Sequence, residues 1–256
     1  MSEPSSKPSY LETPQGRRIA YHLTGGKGPT VVFLGGFRSD MEGTKAVHLE
    51  DWCRKRGQAF LRFDYSGHGQ SSEDFLDGAI GDWAEDAEET INALVDGPVM
   101  LVGSSMGGWI SLILSKRLGD KVCGLVGIAA APDFTEDSMW AGFSADQKVA
   151  LVEDGRVELA SEYSDDPYVI TRRLIEEGRS QLVLRLPLVL KFPARFLQGT
   201  EDADVDMAVA LRLLDHAEGK DLRLTLVKGA DHRFSTPECL GLIERAIDDV
   251  LTRGGH

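Results

Sequence analysis

The stretch Val99-Met100-Leu101-Val102-Gly103-Ser104-Ser105-Met106-Gly107 decides the fold of this chain. Its apolar first half has the composition of a buried β-strand, and a helix is predicted to begin near Met106. Such a sharp turn lifts the serine at the corner out of the sheet, and only small residues fit beside it. The spacing favours Ser105 over Ser104, because glycines lie two residues before and two residues after Ser105. Ser105 is therefore the candidate nucleophile.

A serine hydroxyl is a weak nucleophile until a base takes its proton, and the base needs an acid to orient it. Among the six histidines, we favour His232 as the base. It lies in a loop between the predicted strand Leu222–Val227 and the last predicted helix. His68, in the loop Ser66-Gly67-His68-Gly69, is the alternative. We favour Asp202 as the acid, because it follows a predicted strand and keeps the order Ser, Asp, His.

Three other carboxylates crowd the candidate acid. Glu201, Asp204 and Asp206 belong to the same stretch, and we interpret them as a solvated acidic loop. Strand and helix patterns alternate along most of the chain, which predicts a mostly parallel, doubly wound α/β sheet. Ligands bind such sheets at the carboxyl ends of the strands. The three candidate residues all follow predicted strand ends, so the sequence predicts that they meet.

One segment interrupts the alternation. We predict a single domain over residues 14–256, with residues 134–192 inserted as a lid over the crevice, and a disordered tail over residues 1–13. A structureless loop of that length is rare in a compact domain. Within the insertion, residues 156–161 and 168–171 are predicted to form a hairpin across Asp165-Asp166-Pro167. Its apolar residues are candidates for a substrate pocket, namely Met139, Trp140 and Phe143.

Acyl transfer needs N–H donors aimed at the oxyanion of the tetrahedral intermediate. The residue after the nucleophile, Met106, is predicted to supply one backbone N–H. The loop Gly35-Gly36-Phe37 follows a predicted apolar strand and lets the backbone approach closely. We predict that the Phe37 N–H is the second donor.

The composition excludes several other classes of protein. The formal net charge of −13 disfavours nucleic acid and anionic membranes as partners. The three cysteines, Cys53, Cys123 and Cys239, match no metal or redox spacing, so no metal and no cofactor are expected. No apolar run approaches the ~20 residues of a membrane span. No signal-peptide pattern precedes the domain, and we expect a cytoplasmic location.

Four segments together resemble one family. They are Met41-Glu42-Gly43-Thr44-Lys45-Ala46, residues 62–67, residues 102–109 and Asp231-His232-Arg233. With them the chain resembles, from about residue 17 to residue 250, the serine α/β-hydrolase superfamily. Within it the chain is most similar to mitochondrial α/β-hydrolase-domain acyl-protein thioesterases and acyl-glucuronide esterases and to their bacterial relatives. The resemblance implies the α/β-hydrolase fold, the triad Ser105, Asp202 and His232, and hydrolysis of thioesters or carboxylic esters.

Two details of the resemblance concern loops. The family often has a proline shortly after the acid, where this chain reads Asp202-Ala203-Asp204-Val205-Asp206. Residues 64–71 are similar to a D-x-x-G-x-G-x-S loop common in the superfamily, and we assign this loop an architectural role and no chemistry.

The sequence therefore predicts an esterase or thioesterase that acts on a small-molecule substrate or on an acylated protein. Two alternatives stay open, because fold alone does not separate them. One is a carbon–carbon bond hydrolase with the same triad, and the other is a non-catalytic ligand receptor. Epoxide hydrolases and dehalogenases need a carboxylate in place of Ser105, and a dinucleotide site needs a different glycine spacing.

Overall fold

The structure, a computed structural model, describes residues 7–159 and 168–254. Within these residues the strands are β1 (Ser9–Glu12), β2 (Arg18–Thr24), β3 (Lys27–Leu34), β4 (Gln58–Phe63), β5 (Val99–Ser104), β6 (Val122–Ile128), β7 (Arg156–Leu159), β8 (Tyr168–Thr171), β9 (Leu188–Val189), β10 (Ala194–Gly199), β11 (Ala217–Glu218) and β12 (Leu222–Val227). The α-helices of the same residues are α1 (Thr44–Arg56), α2 (Ile80–Leu94), α3 (Met106–Arg117), α4 (Ala145–Glu153), α5 (Arg172–Gly178), α6 (Met207–His216) and α7 (Pro237–Arg253).

The main sheet has the strand order β1-β2-β4-β3-β5-β6-β10-β12. The strands from β4 to β12 in this order run parallel, whereas β1, β2 and β4 pair antiparallel. Helices connect the parallel strands, which is the doubly wound arrangement that the alternating sequence pattern predicts. The predicted fold class is confirmed.

Side chains alternate between the two faces of the sheet, and each face has its own apolar layer. In β5, Val99 and Leu101 belong to the layer that includes Trp83 of α2 and Trp109 of α3. Met100 and Val102 belong to the opposite layer, which contains residues of α1 and α7. These four β5 side chains are fully buried. Burial on both faces explains why the central strands are continuous apolar runs in the sequence.

The predicted disordered tail is wrong for Ser9–Glu12. These residues form β1, which pairs antiparallel with β2 from Ser9↔Tyr21 to Glu12↔Arg18. The Arg18 guanidinium also lies 4.8 Å from the centre of the Tyr10 ring. A composition rich in Ser, Pro and Glu is compatible with an edge strand, because backbone hydrogen bonds hold such a strand without much apolar burial. Residues 1–6 of the predicted tail lie outside the described residues.

The insertion is anchored to the domain by a buried carboxylate. Asp133, fully buried just before the insertion, accepts hydrogen bonds from the backbone N–H groups of Val183 (2.8 Å) and Leu184 (3.0 Å) and from Arg185 Nη1 (2.7 Å). Trp109 Nε1 of α3 donates to the Gln181 carbonyl at 3.0 Å. Both ends of the insertion are thus held against the body of the domain.

The predicted hairpin of the insertion is present as an antiparallel pair of β7 and β8. Its predicted turn at Asp165-Asp166-Pro167 lies outside the described residues. A buried apolar set from this region joins the layer that covers one face of the main sheet, comprising Phe143, Leu151, Val157, Ile170, Leu174, Ile175, Val183, Leu184, Leu188 and Leu190. Whether the insertion closes over the crevice as a lid stays a prediction. Among the described residues, no helix is long and apolar enough to cross a membrane.

Candidate active site

Ser105 lies at the corner between β5 and α3, as the sequence pattern predicts. Its backbone is strained, with φ 53° and ψ −117°, a conformation that residues with a side chain rarely adopt. Its N–H donates to the Ile128 carbonyl at 2.9 Å, which ties the corner to the neighbouring strand. Ser104, the alternative nucleophile, is the last residue of β5 and is buried.

The glycines around Ser105 are required by close backbone packing. A side-chain carbon on Gly103 would collide with the Gly107 carbonyl oxygen, and one on Gly107 would collide with the Leu34 carbonyl oxygen. A side-chain carbon on Gly108 would lie 2.5 Å from the Ala130 Cβ. These contacts hold the first turn of α3 directly against β3 and the loop after β6.

His232 lies in the loop between β12 and α7, and its imidazole lies between Ser105 and Asp202. Its Nε2 is 3.1 Å from Ser105 Oγ, and its Nδ1 is 2.9 Å and 3.0 Å from the two Asp202 carboxylate oxygens. Because a carboxylate only accepts hydrogen bonds, Nδ1 carries the proton in the neutral ring. Nε2 is then free to accept the Ser105 hydroxyl proton.

Asp202 follows β10 and is almost fully buried, with 1 % of its side chain exposed. It also accepts hydrogen bonds from Gln198 Nε2 (2.9 Å) and from the backbone N–H groups of Asp204 (3.0 Å) and Val205 (2.8 Å). Burial alone would raise the pKa of Asp202, but the hydrogen bonds from His232, Val205 and Gln198 outweigh it and lower that pKa below its ordinary value. The carboxylate is therefore held ionised beside His232.

The other acidic residues of this loop have different roles. Asp206 is the N-cap of α6 and accepts a hydrogen bond from the Ala208 N–H at 2.7 Å. Glu201 is exposed, and its N–H donates to the Ala230 carbonyl. Among the described residues, Asp202, Asp204 and His232 are grouped closely enough to hold a metal ion. Since Asp202 already orients His232, this arrangement suits proton transfer.

His68, the alternative base, lies in an aromatic cluster. It is 4 % exposed, and its ring centre lies 5.0 Å from that of Trp83 and 5.1 Å from that of Phe75. Burial lowers the pKa of His68 to about 4, so it stays neutral near pH 7. Its Nε2 has no hydrogen-bond partner within the described part of the chain. The structure brings His232, and not His68, within hydrogen-bond distance of Ser105.

The role of the Met106 and Phe37 N–H groups as oxyanion donors stays a prediction, and the structure describes their surroundings. Met106 is the first residue of α3, so its N–H has no acceptor within the helix. A side-chain carbon on Gly36 would lie 3.4 Å from the Ser105 Cβ, which shows how closely this loop approaches. The Gly36 carbonyl accepts a hydrogen bond from Ser39 Oγ, at 2.8 Å, and another from the Ser39 N–H. In the same planar trans peptide, the Phe37 N–H points away from Ser39.

The role of Met139, Trp140 and Phe143 as pocket residues stays a prediction. The centre of the Trp140 ring lies 5.2 Å from Lys148 Nζ and 4.8 Å from the Arg179 guanidinium. The same ring contacts Phe143. Phe143 is buried, and Met139 is half-buried beside the same apolar layer. Among the described residues, these side chains share no ring contact with Phe37.

Sequence reasoning missed the aromatic residues that do contact Phe37. Its ring lies 5.0 Å from Phe75 and 5.8 Å from Phe134, each measured between ring centres. Phe134 also contacts Trp109, at 5.5 Å. A usable signal existed for Phe134, because it follows the end of β6 at the same edge of the sheet as Ser105. These rings form an apolar wall beside Gly35-Gly36-Phe37, the predicted oxyanion loop.

The chain matches a family model and is similar to curated proteins along most of its length. Residues 28–236 match the family model described as serine aminopeptidase, S33. The human protein named palmitoyl-protein thioesterase ABHD10, mitochondrial, is 32% identical over 246 residues, which cover 96% of this chain and 80% of that protein. The rat protein of the same name is 32% identical and is covered over 82% of its length.

Solved structures agree over almost the whole chain. A crystal structure of a protein from Agrobacterium vitis S4 is 39% identical and superposes with a TM-score of 0.92, over 96% of this chain and 98% of that one. The mouse α/β hydrolase domain-containing protein 10 is 30% identical, with a TM-score of 0.89 over 96% and 99% of the two chains. The resemblance stated from the sequence is confirmed. The cytoplasmic location stays a prediction, and the ABHD10 relatives are named mitochondrial.

Proposed function

The chain belongs to the family of α/β-hydrolases described by the serine aminopeptidase S33 model, and from this premise we propose that it cleaves carboxylic esters or acyl-thioesters through an acyl-enzyme on Ser105. Relatives named thioesterases support hydrolase activity on esters or thioesters. The single observation that supports the serine mechanism best is the hydrogen-bond chain from Ser105 through His232 to Asp202.

The proposed reaction has two stages. In the first, Ser105 Oγ attacks the substrate carbonyl while His232 Nε2 takes its proton, and the Phe37 and Met106 N–H groups stabilise the oxyanion. His232 then donates that proton to the leaving alcohol or thiol, and the acyl group stays on Ser105. In the second, His232 takes a proton from water as the water oxygen attacks the acyl-enzyme carbonyl. His232 then returns that proton to Ser105 Oγ, the bond between Oγ and the acyl carbon breaks, and the carboxylic acid is released.

Asp202 acts throughout as the orienting group. Its carboxylate fixes the imidazole with the proton on Nδ1 and stabilises the imidazolium that forms in each stage. Since its pKa is held below the ordinary value, Asp202 stays ionised while it orients the imidazole.

We propose fatty acyl-thioesters as the preferred substrate class, with an acylated protein cysteine as the natural form. The curated relatives with about a third of their residues identical are named palmitoyl-protein thioesterases. The apolar wall of Phe37, Phe75 and Phe134 beside the oxyanion loop suits an acyl chain. Because these relatives are named thioesterases, we place esters and thioesters ahead of amides.

Labelling with a fluorophosphonate probe tests the proposed nucleophile, because an activated serine in an oxyanion hole attacks such electrophiles. We expect labelling of the wild-type protein and of Ser104→Ala, and none of Ser105→Ala. Turnover of p-nitrophenyl butyrate and of an acyl-thioester should follow the same order. If folded Ser104→Ala loses labelling while Ser105→Ala retains it, the choice between the serines is wrong. A wild-type protein that neither reacts nor turns over either substrate would refute the proposed function.

A further inference from the structure

Lys45 belongs to the sequence motif at residues 41–46, which the active site described above does not use. It lies in the first turn of α1 and is half-buried. Its Nζ donates a hydrogen bond to the Arg233 carbonyl at 2.5 Å. Arg233 immediately follows His232, so a residue far away in sequence holds the backbone next to the candidate base.

The loop that carries His232 is tightly turned. Phe234 has a φ of 48°, in the left-handed region that residues with a side chain rarely adopt, and its ring is fully buried. Asp231 Oδ1 accepts a hydrogen bond from the Phe234 N–H at 3.1 Å. Strain of this kind persists only where the surroundings hold the backbone firmly. The Lys45 ammonium provides such a hold from outside the loop.

The surroundings of Lys45 explain why its ammonium remains directed at this loop. Burial lowers the pKa of Lys45, and the nearby Asp231 carboxylate opposes that shift. Arg233 and Cys239 are its other charged or titratable neighbours. A half-buried ammonium needs hydrogen-bond acceptors, and the Arg233 carbonyl supplies one.

We propose that Lys45 is a positioning residue for the reaction, which sets the place of the His232 imidazole between Ser105 and Asp202 through its hydrogen bond to the Arg233 carbonyl. The inference rests on the proposed function, because it gives Lys45 a role only if His232 is the base. Lys45 itself does not contact Ser105 Oγ or the Asp202 carboxylate among the described contacts.

The Lys45 ammonium also places a positive charge beside the loop that carries His232. A positive charge near a histidine disfavours its imidazolium form. The charged or titratable groups around His232 and Lys45 are Asp202, Asp204, Asp231, Arg233 and Cys239. β4 and α7 pack against α1, and their charged groups form ion pairs with α1 or with the segment just before it. Glu244 pairs with His48, Asp248 pairs with Arg56, and Arg62 pairs with Glu42 and Glu50.

Three variants test the proposal. Lys45→Met keeps the length of the side chain and removes the donor and the charge, whereas Lys45→Arg keeps both. Lys55→Met is the matched control, because Lys55 lies on the same helix and forms a surface ion pair with Asp51. Steady-state kinetics on p-nitrophenyl butyrate are measured from pH 5 to pH 9, together with the rate of fluorophosphonate labelling and the thermal midpoint of unfolding.

For Lys45→Met we expect kcat to fall by roughly tenfold or more, because small misplacements of a catalytic group cost this much. KM should stay within about twofold of the wild-type value, since substrate binding is untouched. The acidic limb of the kcat/KM profile should move to higher pH. Lys45→Arg should keep the wild-type acidic limb, and Lys55→Met should match the wild type in all measurements.

The result that overturns the proposal is a folded Lys45→Met with wild-type kcat, acidic limb and labelling rate. An equal loss in Lys55→Met would also overturn it. If Lys45→Met does not fold, Lys45→Leu replaces it with the same expectations, because leucine also lacks the donor and the charge. Failure of the proposed function shows itself differently, because the wild-type protein would then neither be labelled at Ser105 nor hydrolyse esters.

Discussion

At the residue scale, the active site depends on which histidine accepts the Ser105 proton. His232 makes hydrogen bonds to Ser105 and Asp202, whereas His68 lies among aromatic rings with a pKa lowered to about 4. Proton transfer requires hydrogen-bond contact before any match of pKa. The two residues therefore provide a matched pair for mutation.

We expect His232→Ala to lower kcat on an activated ester by roughly three orders of magnitude or more, as removal of a triad base does in other serine hydrolases. His68→Ala should cost far less activity, because it removes a packing residue. Circular dichroism and thermal unfolding show whether both variants are folded. A larger loss of kcat in folded His68→Ala than in His232→Ala would contradict the assignment.

The sequence predicted the three central residues because each follows the end of a parallel strand. Ser105, Asp202 and His232 come from three separate strand ends, and parallel strands present these ends at one edge. Lys45 could not be found in this way. Its contact with the Arg233 carbonyl depends on how α1 packs beside the loop before α7, and no local pattern encodes that packing.

At the scale of elements, the strands and helices of the main sheet were predictable, whereas the packing partners of individual side chains were not. Hydrophobic patterns report which face of an element is buried, and they located β12 at Leu222–Val227. They do not report against which partner a side chain packs. The cations of Lys148 and Arg179 that lie near the Trp140 ring, for example, could not be read from the pattern.

The aromatic wall beside the oxyanion loop predicts a dependence of rate on acyl chain length. Each buried methylene contributes about 0.8 kcal/mol, so p-nitrophenyl esters with four to eight acyl carbons should exceed the acetate in kcat/KM by roughly tenfold or more. Phe134→Ala should flatten this series, because Phe134 contacts Phe37. Trp140→Ala, at a position flanked by cations, should leave it unchanged.

A flat or falling series in the wild-type protein would contradict the apolar wall as the acyl site. A series flattened by Trp140→Ala and not by Phe134→Ala would instead restore the pocket that was predicted from the sequence. Both variants are compared at equal concentrations of active protein, determined by fluorophosphonate titration.

At the scale of the whole molecule, stability depends on pH through carboxylates that change environment on folding. Asp64 is 2 % exposed, and burial raises its pKa to about 6 although the Gln70 and Met41 N–H groups donate to it, at 2.8 Å and 2.6 Å. The native state thus binds this proton more tightly than the unfolded chain. Asp64 therefore costs stability above pH 6, and this cost disappears as the pH falls toward the unfolded value near 4.

Comparison of the wild type with Asp64→Asn isolates this contribution. Relative to the variant, the free energy of unfolding of the wild type should rise by up to about 3 kcal/mol as the pH falls from 7.5 to 4. Asparagine loses one hydrogen bond at every pH, so only the slope of the difference is informative. Urea unfolding at a series of pH values measures it, with the exposed Asp96→Asn as control. Parallel curves for wild type and Asp64→Asn would contradict the raised pKa.

The whole sheet also shows where composition misleads. Residues 9–12 belong to a stretch rich in Ser, Pro and Glu, yet they are the outermost strand, because pairing with β2 needs backbone groups and little apolar surface. Conversely, the central strands were recognised because both of their faces are buried. Predictability thus follows the amount of apolar burial from the centre of the sheet outward.

That outermost strand has a consequence for how the molecules behave toward one another. An unpaired strand edge is a template on which a second chain can extend a sheet. At the other end of the sheet, β12 has one neighbour among the described strands, and its exposed residues are Arg223, Thr225 and Leu226. The charge of Arg223 disfavours such pairing. At the opposite end of the sheet, the four residues of β1 pair with β2 and cover its edge. Proteolytic trimming or a shortened recombinant version that begins after Glu12 would uncover β2 and favour aggregation, although every residue of the active site would remain in place.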